Sequence, residues 1–531
     1  MRAKKCLILV MIFTLILALG CQKQELAPKE QDLVRVKSIK GEDSKKVILL
    51  QIDSLMAQAI DRGIAQKELP TIQFLIENGQ YYKNVVSSFP TMSVTIDCSL
   101  LTGTYPDSHH VPGLIWYSMK DHKLINYGTG PIEVIKHGVD PVLVDALVNL
   151  NGSHLNRQVP TIYEDLARLG LKSGSINGLI YRGNMDHTLT IPPWIQVPAS
   201  LPKTIPVKGP DFLALGSLSD PLEDIKKMPD GLISRMGLNN QFSVETVKYL
   251  IEANKLPDFL YVYLPDLDQK IHKKGPSELE GVKKLDQQLH SLLQSFDSPK
   301  EALDKVIFIL VGDSGMTQIL PARENPVIDL PSFFNGYKIL PQGETVTDET
   351  EIVLAVNETM AYVYHLKADK PLRDLADLLK ADPRIEIISW KEKEWIYAIQ
   401  GENSKELRFK ANGKLVDPYQ QKWTVEQNAE VLDLKINTQH HALKYGQYPD
   451  VLQRLSGALF SHPGDYLIVT AKPGYELAGR SSPTHKGGGG HGSLGQAESL
   501  VPLIVSGTDQ KPQYLRLIDI KSFLLKLLAK Q

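Results

Sequence analysis

Short runs of apolar residues recur along the chain, separated by longer stretches of mixed polarity. The clearest lie at residues 47–52 (VILLQI), 259–264 (FLYVYL), 306–311 (VIFILV), 466–470 (YLIVT) and 500–505 (LVPLIV). Short continuous apolar runs are typical of strands buried on both faces, as in a parallel sheet. The pattern therefore predicts a sheet at the centre of the protein.

Between these runs, hydrophobic residues are spaced as in helices. Apolar side chains recur every three or four positions over residues 282–293, which places them on one helix face. Shorter helices are indicated at 70–76, where Pro70 stands in the first turn, and at 161–169, which ends at Gly170. Alternating strands and helices predict an α/β fold with a mostly parallel sheet sandwiched by helices.

Residues 340–450 have a different pattern, and we expect them to form an inserted α+β cap. Strands are indicated at 352–364 and 385–388, and a helix at 372–379. Asn412-Gly413 is typical of a hairpin turn. The main sheet is expected to resume near Tyr448. This divides the chain into a core from 46 to 339, a cap from 340 to 450 and a second part of the core from 451 to 531.

The N-terminus predicts export. Three basic residues precede an apolar run at 6–19 that is too short to span a bilayer and has the form of a secretory signal. Residues 18–21 (ALGC) resemble a bacterial lipobox, in which Cys21 carries the lipid. Residues 1–21 are then the signal peptide, and the polar stretch 22–45 is a flexible tether. We expect a domain anchored to the cell membrane, outside the cytoplasm; an uncleaved anchor or a plain signal peptide is the alternative.

Composition narrows the function classes. The chain has 531 residues, of which 42% are hydrophobic and 23% charged, which is ample material for a large core. Its net charge of -2 argues against a protein that coats nucleic acid, so no such polymer is expected as a partner. Of its three cysteines, one lies in the signal and one is Cys21, so only Cys98 remains and no disulfide framework is expected.

Acidic residues follow three of the predicted strands. Asp53 and Asp313 come at the ends of two of them, and Asp268 lies shortly after a third. In a parallel sheet these acids share the carboxyl edge, where ligands bind. His272 follows Asp268 by one helical turn, so both side chains lie on one helix face and can bind the same metal ion. Each acid alone could also be a helix cap, but together they predict a metal site.

Two other stretches add candidate site residues. Residues 89–106 carry the hydroxyls of Thr91 and Ser93 at a predicted helix start, where free N–H groups suit a phosphate. Residues 484–493 are rich in glycine around His491, with His485 as a weaker candidate. Nitrogen and oxygen ligands of this kind suit Zn²⁺, and an oxygen-rich part suits Mn²⁺ or Mg²⁺.

The order and surroundings of these residues resemble the type I phosphodiesterase/nucleotide pyrophosphatase branch of the alkaline phosphatase superfamily. The resemblance covers about residues 46–320 and 450–508. It rests on six pieces, at 52–53 (ID), 90–93 (PTMS), 101–106 (LTGTYP), 263–276, 312–316 (GDSGM) and 491–492 (HG). It implies an alkaline-phosphatase-like fold and a metal-dependent hydrolase of small phosphate esters that forms a covalent phosphoryl-enzyme. Two divalent cations are implied, most simply Zn²⁺.

The resemblance also implies roles for single residues. The family's spacing from Thr102-Gly103 makes Ser93 the nucleophile, with Thr91 as the fallback. The implied ligands of one metal are Asp268, His272 and His491, and those of the other are Asp53, Ser93 and Asp313.

Two positions depart from the family pattern. Ser314 stands where the family usually has a histidine after the third Asp, so the second site loses an imidazole. That site is expected to bind its metal more weakly, to take a ligand from another group, or to prefer Mg²⁺ or Mn²⁺. The family's phosphate-binding Asn after Pro106 is also missing. Two alternatives stay open: a phosphomonoesterase, phosphonate hydrolase or envelope-polymer phosphotransferase on the same fold, and a binding lipoprotein without catalysis. The retained acids and histidines argue against the second.

Overall fold

The structure is a computed structural model. It describes residues 44–128, 139–192, 201–341, 343–401, 405–480 and 482–529, together with 33, 35–38 and 40. The predicted signal peptide with Cys21, and most of the tether, lie outside these residues. Within the described part, no helix is both long and apolar enough to cross a membrane.

A seven-stranded, mostly parallel sheet forms the centre of the protein, as predicted. Leu500–Ser506 runs antiparallel to both of its neighbours, whereas the five strands from Val306–Gly312 to Phe212–Ala214 are parallel to one another. Across the sheet the order is Gly79–Val86, Leu500–Ser506, Val306–Gly312, Lys46–Ile52, Phe259–Leu264, Ser173–Ile176 and Phe212–Ala214.

The central strand Lys46–Ile52 shows why the apolar runs are continuous. Ile48 and Leu50 pack into one hydrophobic cluster, and Val47 and Leu49 into another on the opposite face. Because successive side chains point to opposite faces, both faces of this strand demand apolar residues.

Helices cover both faces of the main sheet. Those contributing to the first cluster are Ala57–Ala65, Pro70–Glu77, Asn240–Glu252, Asp266–Lys274, Glu280–Leu293 and Pro299–Lys305. Those contributing to the second are Ser93–Thr102, Ile162–Arg168 and Leu517–Ala529. The start of Ile162–Arg168 is set by a capping box between Thr161 and Glu164. Further short helices are Pro106–His109, Val139–Val144 and Gln496–Ser499, and a π-helix spans Asp145–His154.

A second, largely antiparallel sheet has nine strands. The helix Leu372–Leu379, which the sequence predicts, packs on one side of it and Val451–Leu459 on the other. The strands run in the order Ile352–Asn357, Met360–His365, Tyr466–Ala471, Ile385–Glu392, Trp395–Gln400, Glu406–Val416, Ala442–Tyr445 and Leu434–Asn437, with Lys422–Gln427 also paired to Glu406–Val416.

The prediction that the chain returns to the main sheet near Tyr448 is wrong, as the strand Tyr466–Ala471 shows. It lies inside the second sheet, between Met360–His365 and Ile385–Glu392. The chain returns to the main sheet only at Leu500–Ser506. A fully buried strand has the same apolar pattern in either sheet, so its sequence does not identify its partners. The second sheet therefore takes residues from both sides of position 450.

Two local predictions in this region are also wrong. Asn412-Gly413 does not turn a hairpin: Glu406–Val416 is one strand, with a register shift between Ala411 and Leu415 that is typical of a bulge. Residues 352–364, conversely, form two strands joined at Glu358-Thr359. Apolar residues on both sides of the turn conceal it in the sequence.

Short two-stranded pairs lie outside the two large sheets. Among the described residues these are Thr317–Gln318 with Gly489–Gly490, Val327–Asp329 with Glu476–Ala478, Ile115–Ser118 with Lys123–Asn126, and Met185–Thr190 with Thr204–Gly209.

Candidate active site

The register of three parallel strands sets the positions of the predicted acids. Ile52 lies opposite both Gly312 and Leu264 on the neighbouring strands. Asp53 and Asp313 therefore leave the sheet side by side, and Asp268 lies in the first turn of the helix Asp266–Lys274. The structure brings all three carboxylates to the carboxyl edge of the main sheet.

Asp53 and Ser93 face each other at this edge. The Ser93 hydroxyl lies 3.4 Å from Asp53 Oδ1, and the hydroxyl of Tyr263 donates to Oδ2. Burial, reinforced by the negative charges of Asp313 and Asp268, raises the pKa of Asp53 well above its ordinary value. Carboxylates crowded together in this way favour the binding of a cation.

The two candidate hydroxyls occupy different environments. Ser93 is the first residue of the helix Ser93–Thr102 and is partly exposed. Thr91 is fully buried, and its hydroxyl accepts a hydrogen bond from the backbone N–H of Gly492 at 2.7 Å. Ser93 is thus the hydroxyl that faces Asp53 beside the free N–H groups of a helix start, while Thr91 holds the glycine-rich loop.

Asp268, His272 and His491 form a compact group whose ligand atoms all lie within 4.8 Å of one another. The Nε2 atoms of His272 and His491 lie 3.1 and 3.9 Å from Asp268 Oδ1. Their Nδ1 atoms donate to the backbone carbonyls of Gly489 and Thr91. Metal-binding histidines are commonly fixed by such a bond on the second nitrogen.

Electrostatics in this group stabilise the charged forms. Although desolvation opposes it, His272 and His491 lower the pKa of Asp268 to about 2. The carboxylates of Glu358 and Asp268 overcome desolvation to raise the pKa of His272 to about 10. A cation that binds here would displace the proton of His272, so binding releases protons.

Asp313 provides the most direct sign of an oxygen-rich cation site. Its Oδ1 accepts the backbone N–H groups of Ser54 at 2.8 Å and Ser314 at 2.6 Å. Its Oδ2 is buried and accepts no hydrogen bond from the described residues. Burial raises the pKa of this carboxyl. This unpaired oxygen lies beside Asp53. The two carboxylates can therefore bind a divalent cation through oxygen atoms alone, without an imidazole at position 314.

The glycine-rich loop approaches its neighbours too closely for side chains. A Cβ at Gly488 would lie 1.8 Å from the carbonyl oxygen of His272. Gly492 has a φ of +134°, and a Cβ there would lie 2.5 Å from the carbonyl oxygen of Asn357. The glycines let this loop place His491 between the main sheet and the second sheet.

The structure adds three residues that sequence reasoning missed. Ser54, with φ +59°, donates to Asp268 Oδ1 at 2.9 Å; its position directly after Asp53 was the available signal. Glu358 reaches His272 from a turn of the second sheet, with 3.7 Å between Oε1 and Nε2. Glu498 is buried behind the site and bonds three of its segments. No motif marks either glutamate.

Comparison with known proteins gives a family and a fold. The sequence matches the family described as "Type I phosphodiesterase / nucleotide pyrophosphatase" over residues 47–494. Among curated proteins, none matches the sequence significantly.

Solved structures share the fold at low sequence identity. Phosphonoacetate hydrolase from Sinorhizobium meliloti, solved with phosphonoformate, aligns with a TM-score of 0.54 and 13% identity over 92% of this chain and 99% of that chain. Human ectonucleotide pyrophosphatase/phosphodiesterase 5 aligns with a TM-score of 0.53 and 15% identity over 91% and 95%. An inactive variant of the murine protein, solved with AMP, gives 0.51 and 14% over 92% and 95%.

Proposed function

This chain belongs to the type I phosphodiesterase/nucleotide pyrophosphatase family, in the alkaline phosphatase superfamily, and we propose that it is a metal-dependent hydrolase of phosphoric esters with Ser93 as its nucleophile. The observation that carries the proposal is the position of Ser93. Its hydroxyl stands at a helix start, 3.4 Å from Asp53, at the edge that also gathers the other acids and histidines.

The donor set fits two divalent cations. Asp268, His272 and His491 offer one carboxylate and two imidazoles, which suits Zn²⁺. Asp53, Ser93 and Asp313 offer oxygens only, which suits Zn²⁺ less than Mg²⁺ or Mn²⁺. Bound cations of this kind lower the pKa of a hydroxyl or water and neutralise charge on a phosphate.

Each group of residues has its own role in the proposed reaction. Ser93 Oγ loses its proton to water and forms a bond to phosphorus, while the P–O bond to the leaving alcohol breaks on the opposite side and that alcohol takes a proton from solvent. The N–H groups at the start of Ser93–Thr102 would then be available to bind the phosphate oxygens of the resulting phosphoserine. Water hydrolyses this ester and regenerates the Ser93 hydroxyl.

A small phosphate ester is the proposed substrate. AMP is bound by the murine fold relative, and phosphonoformate by the hydrolase that acts on phosphonoacetate. The second of these makes phosphonate hydrolysis the candidate to test beside diester and monoester cleavage. The lipobox-like residues 18–21 support a lipid-anchored enzyme that meets its substrate outside the cytoplasm.

The test is hydrolysis by the purified domain from about residue 30 onward. Nitrophenyl diesters, nitrophenyl monoesters and phosphonoacetate are compared with and without Zn²⁺, Mn²⁺ or Mg²⁺. Ser93→Ala is expected to lower kcat at least about 1,000-fold, because the attacking oxygen is lost. Thr91→Val, which removes only the hydroxyl bonded to Gly492, is the matched control. It is expected to retain hydrolysis, because Ser93 is unchanged.

Two outcomes would change the assignment. Full activity in Ser93→Ala together with loss in Thr91→Val would transfer the nucleophile to Thr91. The absence of turnover with every metal and substrate would favour the alternative of a binding lipoprotein without catalysis. The serine in place of a histidine at position 314 is the feature that supports this alternative.

A further inference from the structure

A second group of potential metal ligands lies beside the first. His272, Glu358 and His485 each offer one ligand atom, and these atoms lie within 4.8 Å of one another. The Glu358 carboxylate is 3.7 Å from His272 Nε2 and 3.9 Å from His485 Nδ1. The two imidazole rings lie with their centroids 4.3 Å apart.

The loop that carries His485 is held by a buried acid. Glu476 is fully buried, and its two carboxylate oxygens accept the backbone N–H of His485 at 2.8 and 2.9 Å. Glu476 Oε2 also lies 3.3 Å from Nδ1 of the same histidine. Two carboxylates thus surround two imidazoles, which gives the cluster an excess of negative charge when the imidazoles are neutral.

Glu358 is presented by a constrained turn. Its φ is +57°, a region that non-glycine residues other than Asn and Asp seldom adopt. The turn is retained because it is bonded on both sides: Leu477 donates to the backbone carbonyl of Glu358 at 2.8 Å, and the His491 N–H donates to Oε2 at 3.2 Å. Strained residues held in this way often position a ligand-binding side chain.

The shared histidine couples the two groups. His272 Nδ1 donates to the Gly489 carbonyl, so only Nε2 can bind metal. One nitrogen binds one ion at a time, with Asp268 and His491 in one set and Glu358 and His485 in the other.

We propose that His272, Glu358 and His485 form a second cation site, the Glu358 site, which takes a divalent cation of the Zn²⁺ type and competes for His272 with the Asp268 group. Two imidazoles and a carboxylate are the ligands that Zn²⁺ prefers. The side chains are 15%, 14% and 17% exposed, so a solvated ion can reach all three. The proposal concerns metal binding and does not require that the protein be a hydrolase.

The test is a Zn²⁺ titration of the chelator-treated, purified protein against a chromophoric chelator. Asp268→Asn weakens the first group and removes none of the three ligands of the Glu358 site, so this variant is the background. Adding His485→Ala or Glu358→Gln is expected to lower Zn²⁺ affinity at least about tenfold, as the loss of a ligand does. His440→Ala and Glu344→Gln, at exposed positions, are the matched controls and leave the affinity unchanged.

Equal Zn²⁺ affinity in the background and in the variant that also carries His485→Ala would overturn the proposal. So would a loss confined to Glu358→Gln, because both residues must contribute. Thermal unfolding of each metal-free variant, and the conservative His485→Gln, separate ligand loss from misfolding. Hydrolysis is not the readout, so an inactive protein that still shows these affinity differences would contradict the proposed function and retain the site.

Discussion

Glu498 provides the sharpest test of how the site is held together. Its carboxylate is buried and accepts three hydrogen bonds: from the Thr317 hydroxyl at 2.8 Å, the Thr359 hydroxyl at 2.9 Å and the Ser493 N–H at 2.7 Å. These donors lie just after Asp313, Glu358 and His491 in the chain. One side chain therefore ties together three segments that carry candidate metal ligands.

The cost of removing this carboxylate follows from its donors. In Glu498→Ala, the Thr359 hydroxyl and the Ser493 N–H lose the acceptor that the described structure gives them, whereas Thr317 keeps the Gly490 carbonyl at 3.3 Å. A buried donor left unsatisfied costs about 1–3 kcal/mol. Two such donors predict a loss of about 2–6 kcal/mol in the free energy of unfolding.

Glu498→Gln is the matched variant. Its amide oxygen can accept from both Thr359 and Ser493, and the Thr317 hydroxyl can rotate to accept from the amide NH₂. Burial raises the pKa of Glu498, which means that the charged form is costly and that a neutral amide avoids this cost. We expect Glu498→Gln to stay within about 1 kcal/mol of wild type.

The assay is urea unfolding followed by tryptophan fluorescence, with and without Zn²⁺, in the same buffer for all variants. An alanine variant that unfolds within about 1 kcal/mol of wild type would show that the Thr359 and Ser493 donors do not depend on the Glu498 carboxylate. A glutamine variant as unstable as the alanine variant would show that the loss comes from the charge and not from the unsatisfied donors.

Three further predictions follow from the contacts. Gly488→Ala should cost at least about 1–3 kcal/mol and weaken Zn²⁺ binding, because its Cβ would meet the His272 carbonyl at 1.8 Å; Gly495→Ala, with nothing within 4 Å, is the neutral control in unfolding and metal titrations. Burial raises the pKa of Glu386 from 4.5 to about 7, so the native state binds this proton more tightly than the unfolded chain, and stability falls as pH rises through that window. Glu386→Gln should remove up to about 3 kcal/mol of that fall, measured as urea unfolding at pH 5 and 8, and an unchanged pH slope would contradict this. Chelation should lower the Tm, since it leaves buried carboxylates such as Asp53 uncompensated, and added Zn²⁺ or Mn²⁺ should restore it; a Tm indifferent to both treatments would argue against a resident cation.

The main sheet was predictable because its pattern is local. A strand buried on both faces demands apolar residues throughout, and such a run identifies itself without reference to its partners. The acids could be grouped for the same reason: parallel strands end at one edge, so Asp53 and Asp313 had to be neighbours if their strands were. Helix ends such as Gly170 and the Thr161 capping box are equally local.

The second sheet could not be derived in this way. Tyr466–Ala471 pairs with strands that precede it by many residues, and nothing within its own sequence distinguishes that pairing from a place in the main sheet. Glu358 and Glu498 were missed for a related reason. Each acts only where the second sheet or its connections meet the main sheet, and a glutamate in a turn or short helix has the same sequence signature whether it faces solvent or a metal group.

The candidate site has two halves of different chemistry, and Ser314, where the sequence departs from the family pattern, lies between them. Its hydroxyl lies 3.4 Å from that of Ser54, which in turn donates to Asp268. The half of the site around Asp53 and Asp313 is built from main-sheet ends and the Ser93 helix, and it offers oxygen.

The half around His272 depends on the glycine-rich loop and the Glu358 turn, and it offers imidazole. Glu498 bonds both of these segments. Because Glu358 comes directly from the second sheet and contacts His272, disturbances of that sheet should weaken the binding of Zn²⁺ more than that of Mg²⁺. The second sheet therefore contributes residues to the candidate metal site and does not merely cover a site completed by the main sheet.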